Sequence, residues 1–313
     1  MQKAFLIFNP SSGARRQRRV EIISRVAAIF RSAGIEVETC ATTHAGSAVS
    51  QTQEAVAAGF DTIIACGGDG TANEVLNGLM AAGSSVPLGV VPLGSGNLLA
   101  TDLLLSRNPE KAARQLLLYK PCELHPGALT CETKEGPQQR YFIVAAGIGS
   151  DAELMYRTAI EAKARYGMYA YFLEMFRMTM RGRFLMFQVE WRDDQGNHHN
   201  ARVGSLMAIR AAKFPGVLQR VRLGSGLIRN DFRLMMFRTD NVRHFLNYFA
   251  SIATGINWRV PQVELTYSTW FRCTPLDSHD PKLIHTEADG ELLGTLPVEI
   301  SIEPRTFRLL MPE

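Results

Sequence analysis

The stretch Thr62-Ile63-Ile64-Ala65-Cys66-Gly67-Gly68-Asp69-Gly70-Thr71-Ala72-Asn73-Glu74 limits what this chain can fold into more than any other. Its apolar, β-branched start reads as a buried strand. It breaks into a glycine-rich turn, after which Val75, Leu76, Leu79 and Met80 recur at helical spacing. Glycines at 67, 68 and 70 remove the Cβ atoms that would hold a ligand off the backbone, and the N–H groups of such a turn lie beside a helix N-terminus, where partial positive charge collects. That is an anion cradle suited to phosphate. Asp69 inside it would repel phosphate on its own, so its presence calls for a bound cation or a hydroxyl whose proton must be polarised. The plainer alternative is a strand-to-helix turn with Asp69 or Thr71 as N-cap, which explains none of the glycines.

The same pattern repeats on both sides of this unit. Met1 to Phe8 reads as a first strand, Asn9-Pro10-Ser11-Ser12-Gly13 as a turn, and Val20, Ile23, Val26, Ala27 and Phe30 as one face of a helix. The arginines at 15, 16, 18 and 19 open that helix, where they either pair with phosphate or face water; the solvated reading is preferred. Ile35 to Thr39 alternates as a strand, and Thr42-Thr43-His44-Ala45-Gly46 leads into a helix from Ala48 to Ala58. Leu88 to Pro92 is a fourth strand that ends in Leu93-Gly94-Ser95-Gly96-Asn97. Successive βα units imply a doubly wound parallel sheet, whose ligand sits at the carboxyl ends of the strands. Asn9, Thr42, the Gly67 turn and the Gly94 loop all fall there. No GxxxxGK[ST] occurs, which excludes a P-loop.

With 313 residues, 46% of them hydrophobic and 20% charged, the chain has material for two domains with cores of their own. The net charge of +4 is too small to argue for nucleic acid, but it suits anionic ligands or an anionic membrane surface. Five scattered cysteines without a CxxC pair indicate neither a disulfide framework nor a zinc site, and fit a reducing cytoplasm.

Taken together, Asn9-Pro10-Ser11-Ser12-Gly13, the run Gly67 to Val75 with Asn77-Gly78-Leu79, and Pro92-Leu93-Gly94-Ser95-Gly96-Asn97 resemble the successive motifs of the diacylglycerol kinase catalytic-domain family, which includes sphingosine kinases and bacterial lipid kinases. The resemblance covers roughly the first 125 residues. It implies a phosphofructokinase- or NAD-kinase-like nucleotide domain, here 1–123 with 305–313 returning to it. A mainly antiparallel, sandwich-like β domain for lipid follows at 124–304, with the site in the cleft between the two. The implied nucleotide contacts are Asn9, Pro10, Ser12, Gly13, Thr42, Gly67, Gly68, Asp69, Gly70, Thr71, Asn73, Glu74, Gly94, Ser95, Gly96 and Asn97. Ser95 stands where the family has threonine and keeps the hydroxyl. ATP and Mg²⁺ are the implied cofactors, with Asp69 the candidate metal ligand.

Beyond Pro121 the sequence turns to alternating segments at 140–146, 185–192, 203–210, 231–238, 263–268 and 298–303, the mark of a β-rich domain. Gly147-Ile148-Gly149-Ser150-Asp151-Ala152 formally matches a dinucleotide fingerprint, but no βαβ unit follows it. Ala159 to Met180 reads as an amphipathic helix facing the core, or else as a basic-rimmed face that guides lipid. Thr286-Glu287-Ala288-Asp289-Gly290-Glu291 reads in isolation as a solvated hairpin turn. The resemblance places the general base in it, at Glu291 or Asp289, with preference for Glu291. One departure concerns a structural magnesium that the family holds at Asp-Gly-Leu; here the residues are Asn230-Asp231-Phe232, which puts that site in doubt.

The expectation is an ATP-dependent lipid kinase acting on a hydroxyl of diacylglycerol or a sphingoid or glycerolipid, in phospholipid metabolism. It would be cytoplasmic with transient contact to the inner membrane face, without nucleic acid, and compatible with a homodimer. The alternatives are an NAD-kinase-like phosphotransferase, against which the Asn9-Pro10 and Pro92 to Asn97 motifs argue, and a non-catalytic lipid-binding relative.

Overall fold

A computed structural model describes residues 1–10, 16–94, 96–133, 135–149, 185–211, 226–241, 243–244, 247, 262–276, 280 and 283–313. The chain divides into two units, Met1–Pro126 with Glu303–Glu313, and Gly127–Ile302. In chain order the first contributes β1 (Lys3–Phe8), α1 (Arg16–Ser32), β2 (Glu36–Ala41), α2 (Ser47–Ala57), β3 (Thr62–Gly67), α3 (Asp69–Ala81), β4 (Leu88–Pro92), α4 (Leu98–Asp102), α5 (Pro109–Leu116) and β5 (Lys120–Leu124). The second holds β6 (Gly127–Thr133), β7 (Gly136–Phe142), β8 (Ala145–Gly149), β9 (Phe187–Arg192), β10 (His198–Val203), β11 (Ser205–Ile209), β12 (Phe232–Phe237), β13 (Val263–Ser268), β14 (Trp270–Pro275), β15 (His285–Ala288) and β16 (Glu291–Ile302). The chain then returns to the first unit as β17 (Phe307–Met311).

The first unit is a sheet in the order β2-β1-β3-β4-β17-β5, parallel throughout except for β5 against β17. All six residues of β3 are buried, as a strand covered on both faces of a parallel sheet must be, which is why its sequence is a continuous apolar run. α3 buries Val75, Leu76, Leu79 and Met80, the positions its helical period singled out. Truncating one of them, as in Leu76→Ala, would cost about 2–5 kcal/mol. Local chemistry ends the elements where the packing needs them to end. Gly34 takes φ +82° directly after α1, and α5 opens on Pro109 with the Asn108 side chain accepting from Lys111 N–H.

The second unit is one curled sheet whose central path runs β10-β9-β14-β16-β15-β8-β11-β12-β13, with every pair antiparallel. β16 organises it. Its first residues pair with β15, and its later ones pair with β14 on one side and β6 on the other, so this twelve-residue strand serves three neighbours. Among the described residues, an apolar cluster that includes Phe142, Phe187, Phe232, Phe271 and Trp191 forms its core. Gly147, Ile148 and Gly149 lie within β8, between β11 and β15, so the formal dinucleotide pattern is part of an antiparallel sheet. A Cβ on Gly149 would come within 2.8 Å of both Gly204 O and the Phe187 ring, which accounts for that glycine without a ligand. The stretch Ala159 to Met180 lies outside the described residues. Among the described residues, no helix is long and apolar enough to cross a membrane.

Candidate active site

In the first unit, the turns after β3 and β4 are laced together by the backbone. The carbonyl of Gly67 accepts the N–H groups of Leu93 at 2.7 Å and Gly94 at 3.2 Å, and Asn97 closes its own turn, Oδ1 accepting from Gly94 N–H and Nδ2 donating to Gly94 O. The approach is so close that a Cβ on Gly94 would stand 2.6 Å from Gly68 Cα, so only glycine fits there. Gly67 is equally constrained, because its Cβ would meet Thr71 Oγ1 at 2.3 Å. Gly68 differs. Its backbone is extended at φ −95°, and an added Cβ would meet only Gly94 Cα, at 3.4 Å. Close packing within and between the turns therefore explains two of these glycines and leaves Gly68 to something else.

Asp69 is the first residue of α3 and does not cap it. Its two oxygens accept the N–H groups of Leu98 and Leu99, each at 3.0 Å, which ties the second glycine turn to the first across 29 and 30 residues. Thr71 is no cap either; Gly68 is the N-cap, and α3 has no side-chain cap hydrogen bond. Among the described residues, the N–H groups of Asp69, Gly70 and Thr71 have no acceptor, since the first helical bond runs from Ala72 N–H to Gly68 O. A thirteen-residue helix thus presents three unclaimed donors at its positive end, beside a glycine that keeps the approach open.

The remaining sequence candidates divide by environment. Asn9 and Thr42 follow β1 and β2 at the same edge of the sheet, both half-buried, with Thr42 N–H donating to Phe8 O. Pro10 directly follows Asn9, and Gly96 is exposed, its nearest neighbour for an added Cβ being Asp69 Oδ2 at 3.4 Å. Asn73 is buried in α3 and bonded to Asn77, while Glu74 is buried with its carboxylate on Ala48 N–H at 3.0 Å. Both face protein. Ser12, Gly13 and Ser95 lie outside the described residues. The arginine run departs from the solvated expectation at one position. Arg19 is only 9% exposed, and burial lowers its affinity for its proton. It lines a cavity of about 370 Å³ with Arg18, Arg107, Gly94 and Asn97, and among the described residues it has no acid partner, so this cavity is electropositive.

The second unit carries the acidic turn. Asp289 and Gly290 join β15 to β16 with φ +49° and +84°, a two-residue hairpin of the type whose central residues both need positive φ and which favours Asp-Gly. This is not a solvated turn, since Glu287 is 5% and Asp289 8% exposed. The Asp289 carboxylate accepts three backbone N–H groups, from Ile143 at 2.9 Å, Val144 at 2.8 Å and Ala145 at 3.0 Å, while its own N–H returns a bond to Ala145 O. Glu287 accepts from Gly290 N–H at 2.9 Å. Glu291 opens β16 half-buried, opposite Ala288.

Asn230 is exposed, and Asp231 is held by Arg229, whose Nε donates at 2.9 Å and whose Nη2 makes the second bond of a bidentate pair. The Arg229 guanidinium also sits 4.7 Å from the centre of the Tyr267 ring. A carboxylate neutralised through both oxygens does not suit a divalent cation, so these residues do not fit the structural magnesium that the resemblance implies. Sequence reading missed Arg210, which is 2% exposed. Burial lowers its pKa to about 10, with the charges of Asp289 and Asp231 acting the other way, so it stays a cation at neutral pH. A single arginine ending the apolar run Ser205 to Ile209 was its only signal.

Residues 3–127 match the family described as diacylglycerol kinase catalytic domain. That stretch carries the diacylglycerol kinase catalytic domain. Its relatives include a protein of Bacillus subtilis (strain 168) called diacylglycerol kinase, 29% identical over all of this chain and 97% of that one. Another so named, from Staphylococcus saprophyticus, is 28% identical over 95% and 91% of the two chains. A crystal structure described as a diacylglycerol kinase from Bacillus anthracis str. Sterne superposes with a TM-score of 0.69 over 99% of this chain and 97% of that one; at 19% identity this is a likeness of fold. The matched domain and these relatives indicate a kinase that phosphorylates a lipid hydroxyl. A kinase of this family takes a nucleoside triphosphate as donor, with a divalent cation.

Proposed function

We propose that the chain is an ATP-dependent kinase whose acceptor is the free hydroxyl of diacylglycerol, the lipid named in its relatives. The observation that carries this reading is the set of unclaimed N–H groups at the start of α3, beside Gly68 and the electropositive cavity of Arg18, Arg19 and Arg107. Donors fixed before the substrate arrives suit a polyphosphate, because little reorganisation accompanies the build-up of charge in phosphoryl transfer. Asn9, Pro10, Ser12, Gly13, Thr42, Gly67 to Thr71 and Gly94 to Asn97 are assigned to the nucleotide. Glu74 and Asn73 are assigned a supporting role, since their polar atoms are engaged within the helices.

Mg²⁺ is the proposed metal, and Asp69 the carboxylate that holds it; each of its oxygens keeps acceptor capacity beyond the one N–H bond it already takes. When bound, the ion would neutralise charge on the phosphates. In the second unit, Glu291 is the proposed general base. Asp289 is a poor candidate because protonating it would weaken three buried hydrogen bonds, which leaves Glu291, half-buried at the start of β16, as the acid of the turn that the resemblance favours. Contact with a membrane surface and residence on its inner face follow from the proposed acceptor. A homodimer is compatible with the reading and plays no part in it.

The test is transfer of label from [γ-³²P]ATP to diacylglycerol in mixed micelles, run beside sphingosine and a bacterial lipid extract. Label in phosphatidic acid supports the reading, and label only in another lipid replaces the acceptor. Lipid binding with no transfer to any of them would reject ATP-dependent catalysis.

A further inference from the structure

The second unit buries a cation beside its acidic turn. Arg210 follows β11, and its N–H donates to Val144 O at 2.9 Å, while the N–H of the same Val144 donates to Asp289 Oδ1 at 2.8 Å. One residue of backbone therefore fixes both the arginine and the carboxylate. The guanidinium Nη2 donates to the carbonyls of Leu227 at 3.4 Å and Arg229 at 3.2 Å, and its carbon lies 6.0 Å from the centre of the Phe232 ring. Those carbonyls lie directly before the segment in which the family resemblance implies a magnesium and in which Asp231 is instead clamped by Arg229. Carbonyl oxygens gathered on one positive centre are what a hard divalent ion assembles around itself. Here the positive centre is covalently part of the chain. Arg233 on β12 extends the arrangement by donating to the carbonyl of Ala211, the residue after Arg210, and it too is buried. Asp289 and Asp231 are the acids whose charges act on Arg210.

We propose that Arg210 is a built-in cation that takes the place of a divalent ion in the second unit, and that by holding the Asp289 turn it positions Glu291. The arrangement makes the ion unnecessary, and a divalent charge beside a guanidinium would meet repulsion. The positioning half of the proposal rests on Glu291 being the base, while the stability half does not depend on it.

The experiment uses the full chain without nucleotide and follows thermal unfolding by tryptophan emission. All three tryptophans, Trp191, Trp258 and Trp270, belong to the second unit, so the signal reports on it alone. The expected result is one Tm in excess EDTA and in millimolar Mg²⁺. Arg210→Gln should lower that Tm and reduce kcat by up to about 10²-fold with KM for ATP unchanged, the mark of a displaced group rather than a lost nucleotide contact. Arg210→Lys should recover part of both, because the charge returns without the planar fork. A parent Tm that falls on chelation overturns the proposal, as does an Arg210→Gln variant that melts and turns over like the parent. Should that variant fail to fold, the chelation result and Arg210→Lys still decide: a Lys variant stable in EDTA supports the built-in cation, and one that needs Mg²⁺ refutes it. If Glu291→Gln is as active as the parent, the base assignment falls while the Tm results stand.

Discussion

Two turns in this molecule use an aspartate beside a glycine in the same way and come out with opposite characters. Asp69 accepts Leu98 and Leu99 N–H groups, and Asp289 accepts those of Ile143, Val144 and Ala145. In each case a carboxylate fastens its turn to backbone far away in sequence. Asp69 leaves the N–H groups of its own helix start without an acceptor among the described residues and stays half-buried, whereas the Asp289 turn is closed, with positive φ and little exposure. The chemistry proposed for the two turns is then opposite in kind: donors for an anion in the first unit and, with Glu291 as the proposed base, an acceptor in the second. In both, the most eye-catching acid of the motif is a fastener.

The most severe way to break this comparison is Asp289→Ala. Three buried N–H groups would lose their acceptor at about 1–3 kcal/mol each, enough to consume most of a typical domain stability of about 5–15 kcal/mol. Urea unfolding followed by tryptophan emission should show the second unit unfolded or nearly so; a loss below about 1 kcal/mol would mean that water replaces the carboxylate freely. Glu291→Gln comes next and should leave stability alone. As the proposed base it should lower kcat by about 10²–10⁴-fold while ATP affinity holds, so an unchanged rate of lipid phosphorylation would show that the base lies elsewhere.

Gly68→Ala probes the open side of the first turn. The methyl is tolerated by the fold, at 3.4 Å from Gly94 Cα, but stands where phosphate should approach. ATP binding by calorimetry should weaken about tenfold or more, with Tm within a degree or two. Normal binding would remove the cradle assignment. The smallest effect is expected of Glu74→Gln, which weakens one charge-assisted bond to Ala48 N–H. Stability should drop by about 1 kcal/mol with ATP affinity unchanged, and a selective loss of ATP affinity would return Glu74 to the nucleotide contacts.

Much of this was legible in the chain. The apolar runs of β1, β3 and β4, the glycine turns after two of them and the helical spacing of Val75, Leu76, Leu79 and Met80 determined a doubly wound nucleotide fold, because a parallel strand covered on both faces leaves an uninterrupted apolar signature. The family resemblance rested on the same stretches, and residues 3–127 carry it. Legibility was poorer in the second unit. Strands such as β14 and β15 left no clear alternation, since a curled antiparallel sheet buries them unevenly and the long β16 changes partners along its length.

Only the tertiary structure could decide which acids fasten their turns to distant backbone. The partners of Asp69 lie 29 and 30 residues away, those of Asp289 lie 144 to 146 away, and none has any local mark, because a backbone N–H looks the same in every residue. The same holds for the cations. Arg19 in a polar run gave no hint of burial, and Arg210 only its place at the end of an apolar one, since burial depends on what packs above them from elsewhere in the chain. Composition and period determine where strands and helices form; the pairing of their ends determines which charges remain available for chemistry.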